Sequence, residues 1–332
     1  MSSSNRIEFI DLAKGLFILL VVVEHVGLLV PTPGLYNDRL PIFFVLSGLF
    51  FKCDGIKKFI VSRTNRILVP FIFFYLLGYL VFYVVNWFVP GLIVGDASGI
   101  LDVFTQRQYF NGPIWFLLAL FWANLMFCGI SIGLKREWMR VVAVLAIGAC
   151  GVWLGREKIM LPCVVDSAMS ALPFFYFGYL LKKTPLLEEN RFDKYNILFV
   201  VAFYAIAVGL SSWFDAPYIG FHYNNVHGNV VVIYLLGMCG VMAVLYLCKV
   251  VKRLPIVSYC GRYSIILLCT HHLFYRPIKL VLMKVDGLSM DAVVWITAVV
   301  TVALCCATIP LCRKYIPKLT AQEDLIVIGH RK

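Results

Sequence analysis

Long apolar segments run through most of the chain and restrict the folds open to it. A helix needs about 20 apolar residues to cross the roughly 30 Å hydrocarbon core of a bilayer. Ten segments reach or approach this length, at 9–30, 40–52, 67–89, 112–134, 139–155, 161–181, 195–213, 229–248, 263–282 and 290–312. Only 14% of the residues are charged, against about a quarter in soluble domains. We therefore predict an all-α integral membrane protein with about ten transmembrane helices in one bundle.

The basic residues predict the orientation of this bundle, because cytoplasmic loops of membrane proteins retain Lys and Arg. With a cytoplasmic N-terminus, the inner segments hold 22 of the 30 Lys and Arg residues and the outer loops hold 7, while Lys14 belongs to neither side. This asymmetry over an even number of helices predicts that both termini are cytoplasmic. No nucleic-acid partner is expected, since the basic residues form short runs between apolar segments rather than one polar face.

The chain is expected to form one domain. Residues 1–315 would lie in the membrane among its lipids, and residues 316–332 would form a short cytoplasmic tail, since no repeat or low-complexity linker is visible. The 11 cysteines include no CxxC spacing, and most lie inside apolar segments. We expect them to be small buried side chains rather than disulfides or ligands of a metal ion.

The first apolar segment carries ionisable residues, which are costly inside a membrane and are therefore candidates for function. Lys14 and His25 lie three helical turns apart, so they share a face with about 16 Å between their Cα atoms. Lys14 could extend to the interface and His25 could hydrogen-bond a neighbouring helix. Alternatively, His25 is a general base and a carboxylate such as Glu24 orients it, although Glu24 lies about 100° around the helix.

Two features follow in the second segment and the loop after it. Arg63 and Arg66 lie at i and i+3 on one helical face, a spacing that suits a phosphate or pyrophosphate. The retention of basic residues in cytoplasmic loops explains the pair equally well. Ser47 and Gly48 permit close approach of another helix, and packing of small residues is the simpler interpretation.

Three later residues are further candidates. Trp115 opens the fourth segment, where an aromatic anchor at the membrane interface is the simpler interpretation. Ser264 and His271 lie two turns apart on nearly the same face of the ninth segment. His271 and His272 are adjacent and point about 100° apart, and no carboxylate or cysteine pair matches their spacing, so a metal site is not expected.

Several segments together resemble one family of membrane enzymes. They are the Lys14 and His25 pair, FFVLSG at 43–48, RTNRILVP at 63–70, GPIWFL at 112–117, FFYFGYLL at 174–181, and Gly261 to His271. Their order and spacing resemble the acyltransferase family 3 membrane proteins, in particular the fucose 4-O-acetylase-like branch. The similarity covers helices one to four, six and nine of the prediction.

The resemblance implies ten membrane helices and a specific chemistry. An acetyl group would pass from cytoplasmic acetyl-CoA, the acyl donor, to a hydroxyl of a surface carbohydrate or lipid-linked glycan. His25 would be the essential histidine and Lys14 the basic residue before it, where many relatives have Arg. Arg63 and Arg66 would be the arginine pair after the second helix. The resemblance also implies a multi-pass protein of a bacterial-type inner (plasma) membrane.

These expectations combine into one mechanism. Arg63, Arg66 and Lys14 would bind the phosphates of acetyl-CoA, and His25 would remove the proton of the acceptor hydroxyl. The residues expected to line the substrate cavity are Ser47, Trp115, Ser264 and His271. The alternative function is a transporter or flippase of a glycan lipid, but the sequence shows no internal repeat and no matching pair of interrupted helices.

Overall fold

The structure is a computed structural model, and almost all of its regular structure is helical. It describes residues 7–28, 39–88, 100–101, 104, 111–188, 193–215 and 217–327. Residues 29, 30, 89 and 328–332, which belong to the predicted first helix, third helix and tail, lie outside the described residues. The prediction of an all-α membrane bundle is confirmed at the level of helix content and apolar length.

The first part of the bundle has one long helix, one short helix and a helix with an irregular turn. Helix α1 covers Glu8–Val26 and α2 covers Pro41–Leu49. Helix α3, Ile56–Arg63, runs through a π-helical turn at Thr64–Leu68 into α4, Val69–Phe88. The nine residues of α2 give a length of roughly 14 Å, so this helix is too short to cross a bilayer alone.

The middle of the chain adds four helices. Helix α5, Trp115–Gly133, follows a 3₁₀ turn at Gly112–Ile114, and α6 covers Glu137–Arg156. Helices α7 and α8 cover Val165–Leu181 and Asn196–Trp213. The predicted fifth segment, 139–155, corresponds to α6.

A small antiparallel hairpin precedes the last four helices. Strand β1, Tyr218–Gly220, pairs with β2, Asn225–His227. Helices α9 to α12 cover Val230–Val251, Pro255–Arg262, Ser264–Leu282 and Met290–Tyr315. The Asn229 side chain accepts hydrogen bonds from the Val231 and Val232 amides at 3.0 and 3.3 Å, which satisfies free N–H groups where α9 begins.

Eight helical segments of the described chain are long and apolar enough to cross a membrane. Helix α1 is 19 residues long but carries Glu8, Asp11, Lys14 and Glu24, and it is not one of the eight. The exact number of ten crossings and the orientation of the termini therefore stay predictions.

Contacts between distant residues define two ends of the bundle. At one end Glu8 lies 3.4 Å from Arg262, and Arg66 lies 3.8 Å from Asp324. At the other end the Gly112 amide contacts His272, and the Lys279 ammonium donates to the Val26 carbonyl at 2.7 Å. We call them the arginine end and the histidine end.

Small residues set the closest helix contacts. A Cβ atom on Gly48 of α2 would overlap the carbonyl oxygen of Phe175 in α7, and one on Gly178 would overlap the carbonyl oxygen of Val45. Gly15 of α1 and Gly261 of α10 meet in the same way. The predicted close approach at Ser47 and Gly48 is therefore present, and it fixes α2 against α7.

Candidate functional site

One face of α1 connects the two ends of the bundle. Lys14, Ile18, Val21 and His25 follow each other at intervals of four, three and four residues, which places them on one stripe of the helix. The Lys14 ammonium lies 5.8 Å from the centre of the Phe50 ring, towards the arginine end. His25 lies in the last turn of α1, at the histidine end. The predicted common face of Lys14 and His25 is therefore present.

A cavity of about 120 Å³ lies beside this stripe. Ile18 and Val21 of α1 line one side, and Ser264 and Leu268 of α11 line another. Arg66 also borders the cavity. The remaining lining residues are apolar: Leu40, Phe43, Ile67, Phe116, Leu117, Leu120 and Ile265. The cavity is therefore mainly apolar, with a guanidinium at one border.

Two of the helices that line the cavity, α1 and α11, each carry a histidine one turn beyond their lining residues. His25 follows Val21 by four residues on α1, and His271 follows Leu268 by three residues on α11. The centres of the His25 and His271 rings are 5.2 Å apart, with an angle of 68° between the ring planes. Residues separated by 246 positions in the chain thus form one imidazole pair.

Backbone contacts fix the tautomer of both rings. The Nδ1 atom of His25 lies 2.7 Å from the carbonyl oxygen of Val21, and Nδ1 of His271 lies 2.8 Å from the carbonyl oxygen of Leu267. Because a carbonyl only accepts, Nδ1 must carry the hydrogen in each ring. In the neutral form, each Nε2 atom therefore has a free lone pair.

The segment before α5 packs against α11 next to the imidazole pair. The Gly112 amide donates to Nδ1 of His272 at 3.2 Å, so the hydrogen of a neutral His272 lies on Nε2, the opposite tautomer. The Asn111 amide group donates to the Cys269 carbonyl at 2.6 Å. The Asn111 side-chain oxygen is buried, and the described residues offer it no hydrogen-bond donor.

Glu24 pairs with Arg39 rather than with His25. The Arg39 Nη2 and Nε atoms lie 2.6 and 3.0 Å from one Glu24 carboxylate oxygen, and the Arg39 side chain is only 3% exposed. This pair ties the end of α1 to the start of α2. A carboxylate on His25 was one possibility at the sequence level, but the contact to Nδ1 comes from the Val21 carbonyl instead.

Of the four residues expected to line the cavity, Ser264 does so, whereas Ser47, Trp115 and His271 are not among its lining residues. The hydroxyl of Ser47 accepts a hydrogen bond from the Asn124 amide at 3.0 Å, a contact between α2 and α5. Trp115 is buried and stacks on His222, with ring centres 5.1 Å apart and 15° between the planes. His222 in turn contacts Tyr223, which is 50% exposed. Trp115 therefore links α5 to the hairpin at the histidine end.

The arginine pair lies on the turn between α3 and α4. Arg63 is half-buried, with its guanidinium 5.1 Å from the centre of the Phe59 ring. Arg66 is exposed and borders the cavity. Asp324 lies 3.8 Å from Arg66, and both side chains are more than half exposed. An exposed pair of this kind contributes at most about 1 kcal/mol, so another anion could replace Asp324.

Asn65 joins the same turn to the C-terminal tail. Its side-chain oxygen accepts from the Leu325 and Ile326 amides at 3.1 and 2.9 Å, and its amide nitrogen donates to the Ile326 carbonyl at 2.8 Å. The side chain is 2% exposed. The tail after Tyr315 thus lies against the turn that carries both arginines.

Sequence reasoning did not select Arg39, Asn65, Asn111 or His272 as site residues. Polar residues next to apolar segments were the available signal, because a buried Arg or Asn needs a partner. The partners are 15 to 261 residues away and were not deducible from local spacing. Within the described part of the chain, no group of three or more His, Cys, Asp or Glu residues could hold a metal ion.

Comparison with known proteins gives one match. A family model described as an acyltransferase domain of the acyltransferase 3 type matches residues 7–312, which include every helix up to the last turn of α12. No curated protein and no solved structure matches the chain.

Proposed function

Because the chain belongs to acyltransferase family 3 and is a multi-pass membrane protein, we propose that it moves an acyl group through its helix bundle. The donor is acyl-CoA, with acetyl as the expected acyl group, and it binds at the arginine end. The acceptor is a hydroxyl of a surface carbohydrate or lipid-linked glycan, and it binds at the histidine end. The protein lies in a bacterial-type inner membrane with the arginine end towards the cytoplasm.

One observation carries this proposal. The apolar cavity has Arg66 at its border and lies between helices α1 and α11, whose next turns carry His25 and His271. Lys14, proposed to bind phosphate, and His25, proposed to act as the base, are thus about 16 Å apart along one helix face. A long flexible thioester with a phosphate group at one end is the kind of donor that a cation, an apolar cavity and a base in this order would bind.

The donor phosphates are bound by Arg66, with Arg63 and Lys14 as further cations. A guanidinium binds phosphate oxygens through two parallel hydrogen bonds, which is stronger than its loose contact with Asp324. Lys14 provides a charge without the two-pronged geometry of arginine. The apolar lining then suits the uncharged arm of the donor better than a charged acyl group such as succinyl.

His25 is the general base. Its Nε2 lone pair is free because Nδ1–H bonds to the Val21 carbonyl. The base takes the proton of the acceptor hydroxyl while the hydroxyl oxygen attacks the thioester carbon. The C–S bond then breaks, and the leaving thiolate takes the proton from His25. The products are an ester and free CoA thiol, and the acyl group reaches the histidine end without passage of the whole donor.

The buried oxygen of Asn111 supports an acceptor rich in hydroxyl groups. This atom needs a donor, and the described residues do not provide one. A sugar hydroxyl would donate to this oxygen, which lies close to His272. The exposed Tyr223 ring, supported by His222 and Trp115, offers a surface on which a sugar ring stacks.

The family match does not favour a transporter or flippase of a glycan lipid. The test is incorporation of label from radiolabelled acetyl-CoA into glycan or glycolipid by membranes that contain the wild type or His25→Ala. We expect label with the wild type and a loss of at least about 100-fold with the variant, since a general base contributes roughly 10²–10⁴ in rate. Gel filtration in detergent checks that both proteins fold.

Absence of label with correctly folded wild type would contradict the acyl-CoA reaction. If lipid-linked sugar still changed leaflet in that case, the transporter function would replace it. Equal label with wild type and His25→Ala would leave the transfer in place but remove His25 from it.

A further inference from the structure

The Nε2 atom of His271 is a buried hydrogen-bond acceptor without a partner. The side chain is 0% exposed, and no donor among the described residues reaches Nε2. Its other nitrogen is engaged with the Leu267 carbonyl. An unsatisfied buried polar atom costs free energy, so a fold gains from a smaller apolar residue here unless the lone pair has a use.

Among the rings of the described residues that contact His271, the closest ionisable one is His25. The ring centres are 5.2 Å apart with the rings edge to face, so the imidazoles are in contact, and a small shift of the exposed His25 ring would bring an N–H···N hydrogen bond within reach. In the neutral forms this bond cannot form, because both Nε2 atoms carry lone pairs and both Nδ1–H groups are used by backbone carbonyls. The bond becomes possible when His25 gains a proton on Nε2.

We propose that His271 is a positioning residue that accepts the Nε2–H of protonated His25. This inference rests on the proposed function, in which His25 takes the hydroxyl proton. The charged ring of His25 then has a new N–H to donate, and the lone pair of the buried His271 beside it accepts this hydrogen. His271 stays neutral throughout, and the proton returns from His25 to the leaving thiolate.

The Nδ1 contact of His271 prepares it for this use. Since the Leu267 carbonyl holds the hydrogen on Nδ1, the Nε2 lone pair needs no change of tautomer when His25 becomes charged. His272 cannot serve in the same way, because its Nδ1 lone pair already accepts the Gly112 amide. The two adjacent histidines of α11 therefore have different functions.

The test measures maximal rate and donor KM with radiolabelled acetyl-CoA in membranes of wild type, His271→Leu and His271→Gln. Leu removes the acceptor, whereas the side-chain oxygen of Gln keeps one. We expect the maximal rate of His271→Leu to fall about 10- to 100-fold with an unchanged KM, and that of His271→Gln to lie clearly between the other two. His271→Met, which also lacks a nitrogen acceptor, replaces Leu if the Leu variant fails to fold.

A maximal rate of His271→Leu within twofold of wild type would overturn the inference, and so would equal losses in the Leu and Gln variants, which would indicate ring packing. A raised KM with an unchanged rate would assign His271 to donor binding instead. Each of these outcomes presupposes activity of the wild type, so they are distinct from a wild type without transfer, which would remove the proposed function itself.

Discussion

At the scale of single residues, the environment of each polar group decides its use. The two histidines on facing helices are held in one tautomer by carbonyls of their own helices, Val21 and Leu267. Glu24 is bound to Arg39 and ties two segments together. Charge alone therefore does not identify the catalytic group, since a carboxylate next to the proposed base has a different partner.

A residue-scale prediction concerns Arg66. We expect Arg66→Gln to raise the KM for acetyl-CoA about tenfold or more with little change in kcat, because a hydrogen bond to a charged group contributes about 1.5–3 kcal/mol. Arg66→Lys keeps the charge without the two-pronged geometry and should give an intermediate KM. Steady-state kinetics in membranes measures both.

The control for Arg66 is Lys52→Gln. Lys52 is another cation of the arginine end, but it is 73% exposed, pairs with Asp54 at 2.8 Å and does not line the cavity. Its KM should match that of the wild type. An equal rise of KM in both variants would indicate a general effect of positive charge rather than a site at Arg66.

At the scale of helices, close contacts and one irregular turn set the geometry of the site. The π-helical turn at Thr64–Leu68 interrupts the long helix from α3 to α4, and such turns often occur at functional sites. This turn places Arg66 at the cavity border and Asn65 against the tail. Glycines 48 and 178 bring α2 and α7 into backbone contact. The position of α2 therefore depends on packing rather than on its length.

The prediction at this scale concerns Gly48→Ala in α2. The added methyl group would overlap the Phe175 carbonyl oxygen, so α2 must shift. We expect a loss of about 1–3 kcal/mol in the free energy of unfolding, seen as a lower Tm in detergent. Gly129→Ala in α5 is the matched control, since no heavy atom lies within 4 Å of the position of its Cβ. Equal Tm values for the two variants would contradict the close contact.

At the scale of the whole molecule, both described ends of the chain lie at the arginine end. Glu8 of α1 contacts Arg262, and the tail contacts Asn65, so the N-terminal helix and the tail flank the same face of the bundle. The acyl donor would approach the protein past this tail.

The whole-molecule prediction concerns the link between the tail and Asn65. In Asn65→Ala the Leu325 and Ile326 amides lose their acceptor, and we expect their hydrogen exchange to become fast. Asn65→Asp keeps an acceptor oxygen and should retain most of the protection. Exchange measured by mass spectrometry on the C-terminal peptide distinguishes the two. Full protection in Asn65→Ala would show that the side chain does not hold the tail.

Much of the architecture was predictable because a membrane-spanning helix requires a long run of apolar residues, which is visible in the sequence. Long apolar segments give helices whatever their neighbours are, and the stripe of Lys14 and His25 follows from the helical repeat alone. The short α2 was harder to predict, since its apolar run is longer than its helix. Ser264 lines the cavity, whereas Ser47 bonds to Asn124. The sequence could not predict this difference, because both serines are small polar residues in apolar helices.

The sequence by itself determined that the chain is a membrane bundle, which family it resembles and which helix faces carry cations and histidines, since these depend on hydrophobicity and on the local repeat of the helix. Only the tertiary structure decided the partners: His271 beside His25, Arg39 on Glu24, and Asn65 on the tail. Such pairs join residues far apart in the chain, and the close packing that brings them together depends on all helices at once.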